Sequence, residues 1–222
     1  MNSDDLSVCL HSDLVPMARR RVRDDAVELI ETALGRANEV FTEKLVLPLT
    51  LGSGHEWRGV IGSLPAAVEI DMFLRHRLFP LQITTGIGRG ELGANLSEGL
   101  SRMAGSCLMR SRKGLERARR HRGGTFLFSG DPLLDAGANT IFLLLQTLFE
   151  TWTEKQLEAY LAYRRYGTEA QAAEAVGITQ SALHQRLAAA RAKTYELASE
   201  QLLWFVGNFP AVFPDPSCAE AS

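Results

Sequence analysis

The chain predicts an α+β fold. A split β-α-β, ferredoxin-like domain occupies residues 1–137. An all-α unit with a helix-turn-helix follows in 138–208, and a tail runs over 209–222, its last few residues disordered. Two observations carry this. The first is the order of periodic segments, β-α-β-β-α-β-α-β, ahead of a purely helical stretch. The second is the pair of S/T-x-x-Q boxes, Thr153/Gln156 and Thr168/Gln171, each at the head of an apolar run.

Leu6–Leu10 has the look of a short buried strand that ends at His11-Ser12-Asp13. Arg19, Arg20, Arg21 and Arg23 follow. Val27, Ile30, Leu34, Ala37 and Phe41 then recur at helical spacing. Leu45–Leu51 and Trp57–Ile61 form two strands of a hairpin, with Pro48 marking an edge or bulge and Gly52–Glu56 the tip. Ser63 and Pro65 fit the cap and first turn of a helix ending near Leu78. A fourth strand is expected over Leu81–Ile87, a basic helix over Met103–Arg120, and a fifth strand over Thr125–Phe128. An apolar helix is expected over Asn139–Trp152.

The chain has 222 residues with a net charge of −2, so nucleic-acid binding must come from local patches. Cys9, Cys107 and Cys218 have no metal or disulfide spacing and fit reduced thiols. The acidic start lacks an apolar leader, and the apolar run Ile141–Leu145 is too short to span a bilayer. A soluble cytoplasmic protein without a membrane role is expected.

In the helical part, Gly167 and Gly177 separate three short helices. Leu183 and Leu187 fall on the buried face of the third, which continues through Leu202 and Val206 in this reading. The outward residues Thr179, Gln180, Ser181, His184, Gln185 and Arg186, with Arg191 and Lys193, suit base edges and phosphates of double-stranded DNA. No acid lies between Gly177 and Thr194, whereas Glu154, Glu158, Glu169 and Glu174 lie earlier. The helices 141–149 and 195–206 offer apolar stripes for a homodimer. A helical packing or protein-interaction module is the competing reading. AEAVGITQSALHQRL resembles the helix-turn-helix of LuxR-type regulators and extracytoplasmic sigma factors.

In a split β-α-β sheet, the end of the first strand and the hairpin tip lie side by side. Asp13 and Glu56 are the carboxylates there, and together they could share one Mg²⁺ carried with a nucleotide. His55 is a poor Mg²⁺ ligand. The alternatives are a turn cap at Asp13 and a plain hairpin turn at Gly54–Glu56. Glycines 86–93 do not match a dinucleotide fingerprint. The basic helix carries Arg110, Arg112, Lys113, Arg117, Arg119, Arg120 and Arg122 against Glu116. Such a run suits either a solvated face or binding of triphosphate or DNA backbone.

SDLVPMAR, GHEWRG, GIGRGEL and RMAGSCLMRSRKGLERARR stand in the order of the SatD family's motifs. The chain resembles that family, whose N-terminal part is similar to a class III nucleotidyl cyclase or GGDEF palm and whose C-terminal part is a helix-turn-helix. The resemblance implies a nucleotide site at Asp13, His55, Glu56, Arg89, Arg112, Lys113 and Arg117, with metal on Asp13 and Glu56. Ser12 replaces a family Gly, and His55 replaces an Asp that is a metal ligand in the cyclase-like families. The departure points away from two-metal catalysis and gives no catalytic residue. A one-component DNA-binding regulator with a degenerate, nucleotide-binding palm is therefore expected. A nucleotide cyclase or nucleotidyltransferase with a regulatory tail is the enzymatic alternative.

Overall fold

The computed structural model describes residues 6–15, 21–93 and 104–212. Arg19 and Arg20, the expected helix start at Met103 and the tail residues Pro214 and Pro216 lie outside them. The chain divides into two compact units, residues 143–202 and the remainder.

The first unit is built on a five-stranded sheet in the order β2-β3-β1-β4-β5. The strands are β1 Ser7–Leu14, β2 Leu45–Leu51, β3 Trp57–Ile61, β4 Ile83–Gly90 and β5 Gly124–Phe128. Antiparallel β3 and β4 flank β1, β2 is antiparallel to β3, and β5 runs parallel to β4. So β1 and β2 are parallel, joined by α1 (Arg21–Val40), with β3 between them. Strands β3 and β4 are parallel, joined by α2 (Leu64–Leu78), with β1 between them. Two β-α-β units thus interleave, and α3 (Ser106–Arg120) adds a third between β4 and β5.

Strand β1 is longer than expected. His11-Ser12-Asp13 does not end it, because His11 and Ser12 pair on both sides, with Arg58 and Trp57 of β3 and with Gly86 and Thr85 of β4, and Asp13 pairs with Thr84 of β4. A central strand saturates its backbone in the ladder, so polar side chains there need no turn. Strand β4 also runs past Ile87, and Gly86, Gly88 and Gly90 lie within it. The cause is α3. A Cβ on Gly86 would sit 1.9 Å from the Ser111 carbonyl oxygen, and one on Gly88 would sit 2.2 Å from that of Cys107. The helix backbone rests directly on the strand, so only glycine fits.

Each edge strand has one backbone position tied by an asparagine amide. Asn38 of α1 donates to the Leu49 carbonyl at 2.9 Å and accepts from its N–H at 2.8 Å. Leu49 lies at a ladder irregularity between Leu47 and Thr50. Asn139 does the same to Leu127 of β5, at 2.9 and 2.7 Å. Asn139 belongs to α4 (Pro132–Phe149). That helix starts well before the expected Asn139, because Asp131 accepts from the N–H groups of Leu133 and Leu134 and Pro132 fits the first turn. With 18 residues of mean hydropathy 1.3, α4 is long and apolar enough to cross a membrane. The five-residue run 141–145 did not reveal this. Leu134, Ala138, Phe142 and Leu145 form its buried stripe, while Leu133 and Leu144 are exposed.

The second unit contains α5 (Glu154–Tyr166), α6 (Glu169–Val176), α7 (Gln180–Ala189) and the start of α8 (Ala192–Val212). Thr153 and Gln156 form the full reciprocal capping box. At the second box, Thr168 accepts from the Gln171 N–H but gives its hydroxyl to the Gln171 side chain. Gly167 and Gly177 both adopt left-handed backbone, at φ 77° and 74°. Phe149, Trp152, Tyr160 and Tyr195 form an aromatic cluster with ring centroids 4.9 to 5.8 Å apart.

The expected continuous third helix is broken at Ala190–Arg191. The Trp152 indole donates to the Ala190 carbonyl at 2.8 Å, taking an acceptor that a helix would have given to Thr194. Arg191 has φ 50°. A left-handed non-glycine residue costs about 1–2 kcal/mol. Arg191→Gly should therefore raise the stability of this unit by about 1 kcal/mol. An upward shift of the urea midpoint at unchanged slope would show it.

Candidate functional site

Four side chains meet at one end of the sheet. Alternation along β1 places His11 and Asp13 on the same face. It is the face covered by α3, since His11 stands opposite Gly86, on which α3 rests. Glu56 comes from the β2–β3 turn. Arg119 comes from the last turn of α3, a helix whose seat on β4 fixes where its end points.

One nitrogen joins the two carboxylates. Arg119 Nη2 donates to Asp13 Oδ2 at 2.6 Å and to Glu56 Oε1 at 2.5 Å. The other Glu56 oxygen lies 3.1 Å from His11 Nε2. Burial of Glu56 favours the neutral acid, but hydrogen bonds from Arg119 and His11 outweigh it and hold the carboxyl below its usual range. Burial likewise opposes charge on Arg119, yet its bonds to Glu56 and Asp13 raise its affinity for the proton. His11 is 7% exposed, and burial lowers its pKa despite Glu56. It is thus neutral at pH 7, and it donates from Nε2 because an ionised carboxylate only accepts.

The structure brings Asp13 and Glu56 together as the sequence suggested, and adds Arg119 and His11. His55 is half-buried in the neighbouring turn. The other expected nucleotide contacts are spread along α3 and β4. Arg112 is exposed and lies 3.4 Å from Glu116. Lys113 and Arg117 lie over the rings of Phe128 and Phe126, at 4.7 and 5.0 Å. The Arg89 carbonyl accepts from Arg110, which also bonds the Ser129 carbonyl and so ties the ends of β4 and β5. Much of the positive charge on α3 serves the fold. Cys9 and Cys107 are buried and free, and burial pushes the Cys9 thiol to about 12, so it is unreactive.

The Asp13–Glu56 pair holds a positive charge of the chain's own. Its facing oxygens already converge on a guanidinium nitrogen. Among the described residues, no group of three or more His, Cys, Asp or Glu is arranged to hold a metal.

In the second unit, Thr179 caps α7 by accepting from the Ala182 N–H. Gln180, Ser181 and Gln185 are exposed, and Leu183 and Leu187 are buried. Folding also brings acids to this helix. Glu169 of α6 lies 3.1 Å from His184 Nδ1 and 3.9 Å from Lys193 Nζ. Arg186 donates to Glu158 of α5 at 3.2 Å. A cavity of about 230 Å³ opens here, bordered by Glu169, His184, Arg191 and Lys193. The acids stand 15, 24 and 28 positions before their partners, so the acid-free stretch 178–193 concealed the pairing.

No protein-family model matches the chain, and no curated protein matches it. Among solved structures, that of the guanylyl cyclase Cya2 is similar at 17% identity with a TM-score of 0.35. The match covers 55% of this chain and 74% of that one.

Proposed function

We propose that the chain is a one-component, DNA-binding transcription regulator, cytoplasmic and acting as a homodimer. In this reading 143–202 contains a helix-turn-helix, and the sheet unit is a ferredoxin-like, cyclase-palm-like sensor domain. The observation that supports it is the α6–α7 pair. A three-residue turn, Gly177–Thr179, joins two short helices, and the second buries Leu183 and Leu187 while exposing Gln180, Ser181 and Gln185. Amide and hydroxyl side chains at the head of such a helix suit base edges in a major groove. The ion pairs that Glu169 and Glu158 make with His184, Lys193 and Arg186 each have one solvent-exposed partner, and DNA phosphates would compete with Glu169 and Glu158 for these cations.

Fluorescence anisotropy against duplex from the gene's own upstream region tests the reading, with a scrambled duplex as control. Specific binding should weaken steeply as salt rises, because phosphate contacts release counterions. Gln180→Ala and Gln185→Ala should each lower specific affinity about tenfold while leaving the circular dichroism unchanged. Binding that ignores salt and both substitutions would favour the protein-interaction module. The nucleotidyltransferase alternative draws on Asp13 and Glu56, and Arg119 between them counts against it.

A further inference from the structure

We infer that Arg119 is the built-in cation of the Asp13–Glu56 site and that its guanidinium closes this carboxylate pair to divalent metal. The pair has the position and chemistry of a cation site. Two acids 43 positions apart in the chain aim one oxygen each at a single point, and that point is occupied by Nη2. The side chains are 21% and 33% exposed, and that of Arg119 is 40% exposed, so solvent ions reach the site. Two carboxylates this close repel each other unless a positive charge stands between them. Arg119 supplies that charge from within the chain. The third neighbour is His11, whose ring nitrogen meets the far oxygen of Glu56.

With the guanidinium gone, two negative charges would face each other with an imidazole beside them. That donor set suits Mn²⁺, which accepts both oxygen and imidazole nitrogen. The guanidinium therefore decides whether this sheet end is an ion pair or a metal centre.

Mn²⁺ titration of the full-length chain, followed by the loss of the free-ion electron paramagnetic resonance signal, tests this. Wild type and Asp13→Asn should show the same weak, unsaturating uptake. Arg119→Met keeps an apolar stem without the charge. It should gain one saturable Mn²⁺ site, at least tenfold tighter than any uptake by wild type, and adding Asp13→Asn should remove it. Arg119→Gln provides the same comparison if Arg119→Met does not fold. A saturable wild-type site that Asp13→Asn abolishes would overturn the inference. So would a folded Arg119→Met or Arg119→Gln protein, judged by circular dichroism, that gains no site.

Discussion

Gly86→Ala should destabilise the sheet unit by about 3–5 kcal/mol, at the upper end of what one substitution does. The added methyl would lie 1.9 Å from the Ser111 carbonyl oxygen and 2.2 Å from the Leu115 nitrogen. Both are backbone atoms of α3, so no rotamer change relieves the clash. The helix must lift, and it then loses contact with the strand along its length. Gly88→Ala meets the Cys107 oxygen and the Ser111 nitrogen, each at 2.2 Å, and should behave alike. Gly114→Ala on the helix side is less severe, since its Cβ would come within 2.6 Å of the Phe126 carbonyl oxygen and 2.8 Å of the Gly86 Cα. Gly52→Ala is the control. Its nearest neighbour, the Glu56 carbonyl oxygen, is at 3.5 Å, and the change should stay within about 0.5 kcal/mol. Urea unfolding followed by far-ultraviolet circular dichroism measures all four. A Gly86→Ala midpoint close to wild type would mean that α3 does not rest on β4.

Asp71→Ala should cost a comparable amount, about 3–5 kcal/mol, by a different route. Asp71 of α2 is 1% exposed. Its Oδ2 accepts from Arg75 Nε at 2.9 Å and from the Thr125 hydroxyl at 2.6 Å. Arg75 in turn donates to the Ile83 carbonyl at 3.1 Å and to Thr125 at 2.7 Å. Thr85 extends the network to Ser12 on β1, at 3.0 Å. Removing the carboxylate strands a guanidinium whose side chain is 14% exposed. The cost is the desolvation of that unpaired charge rather than the worth of the contact. Asp71→Leu combined with Arg75→Met removes both charges and should recover most of the loss. A double variant no more stable than Asp71→Ala would show that shape, not charge, governs the site.

Much of the first unit was legible in the sequence, because strand alternation, Ser63–Pro65 and the hairpin turn act locally. The bounds expected for β2, β3 and α2 match those observed. The overruns of β1 and β4 were not legible, since they depend on which strands flank them and on α3 pressing upon glycines. The meeting of Asp13 with Glu56 followed from topology alone. Arg119 stayed hidden among the seven cations of its segment, because only its position at the end of a seated helix sets it apart. In the second unit, caps and glycines marked the helix ends, but the break at Ala190 depends on an indole 38 positions away.

The paired amides of Asn38 and Asn139 have a consequence for assembly. An unguarded sheet margin is a template on which a stray strand, or another molecule's margin, can settle. Here each outermost strand carries a polar plug on one residue, so an incoming strand would have to evict an amide that makes two hydrogen bonds. Growth by adding strands end over end is thereby discouraged at both margins.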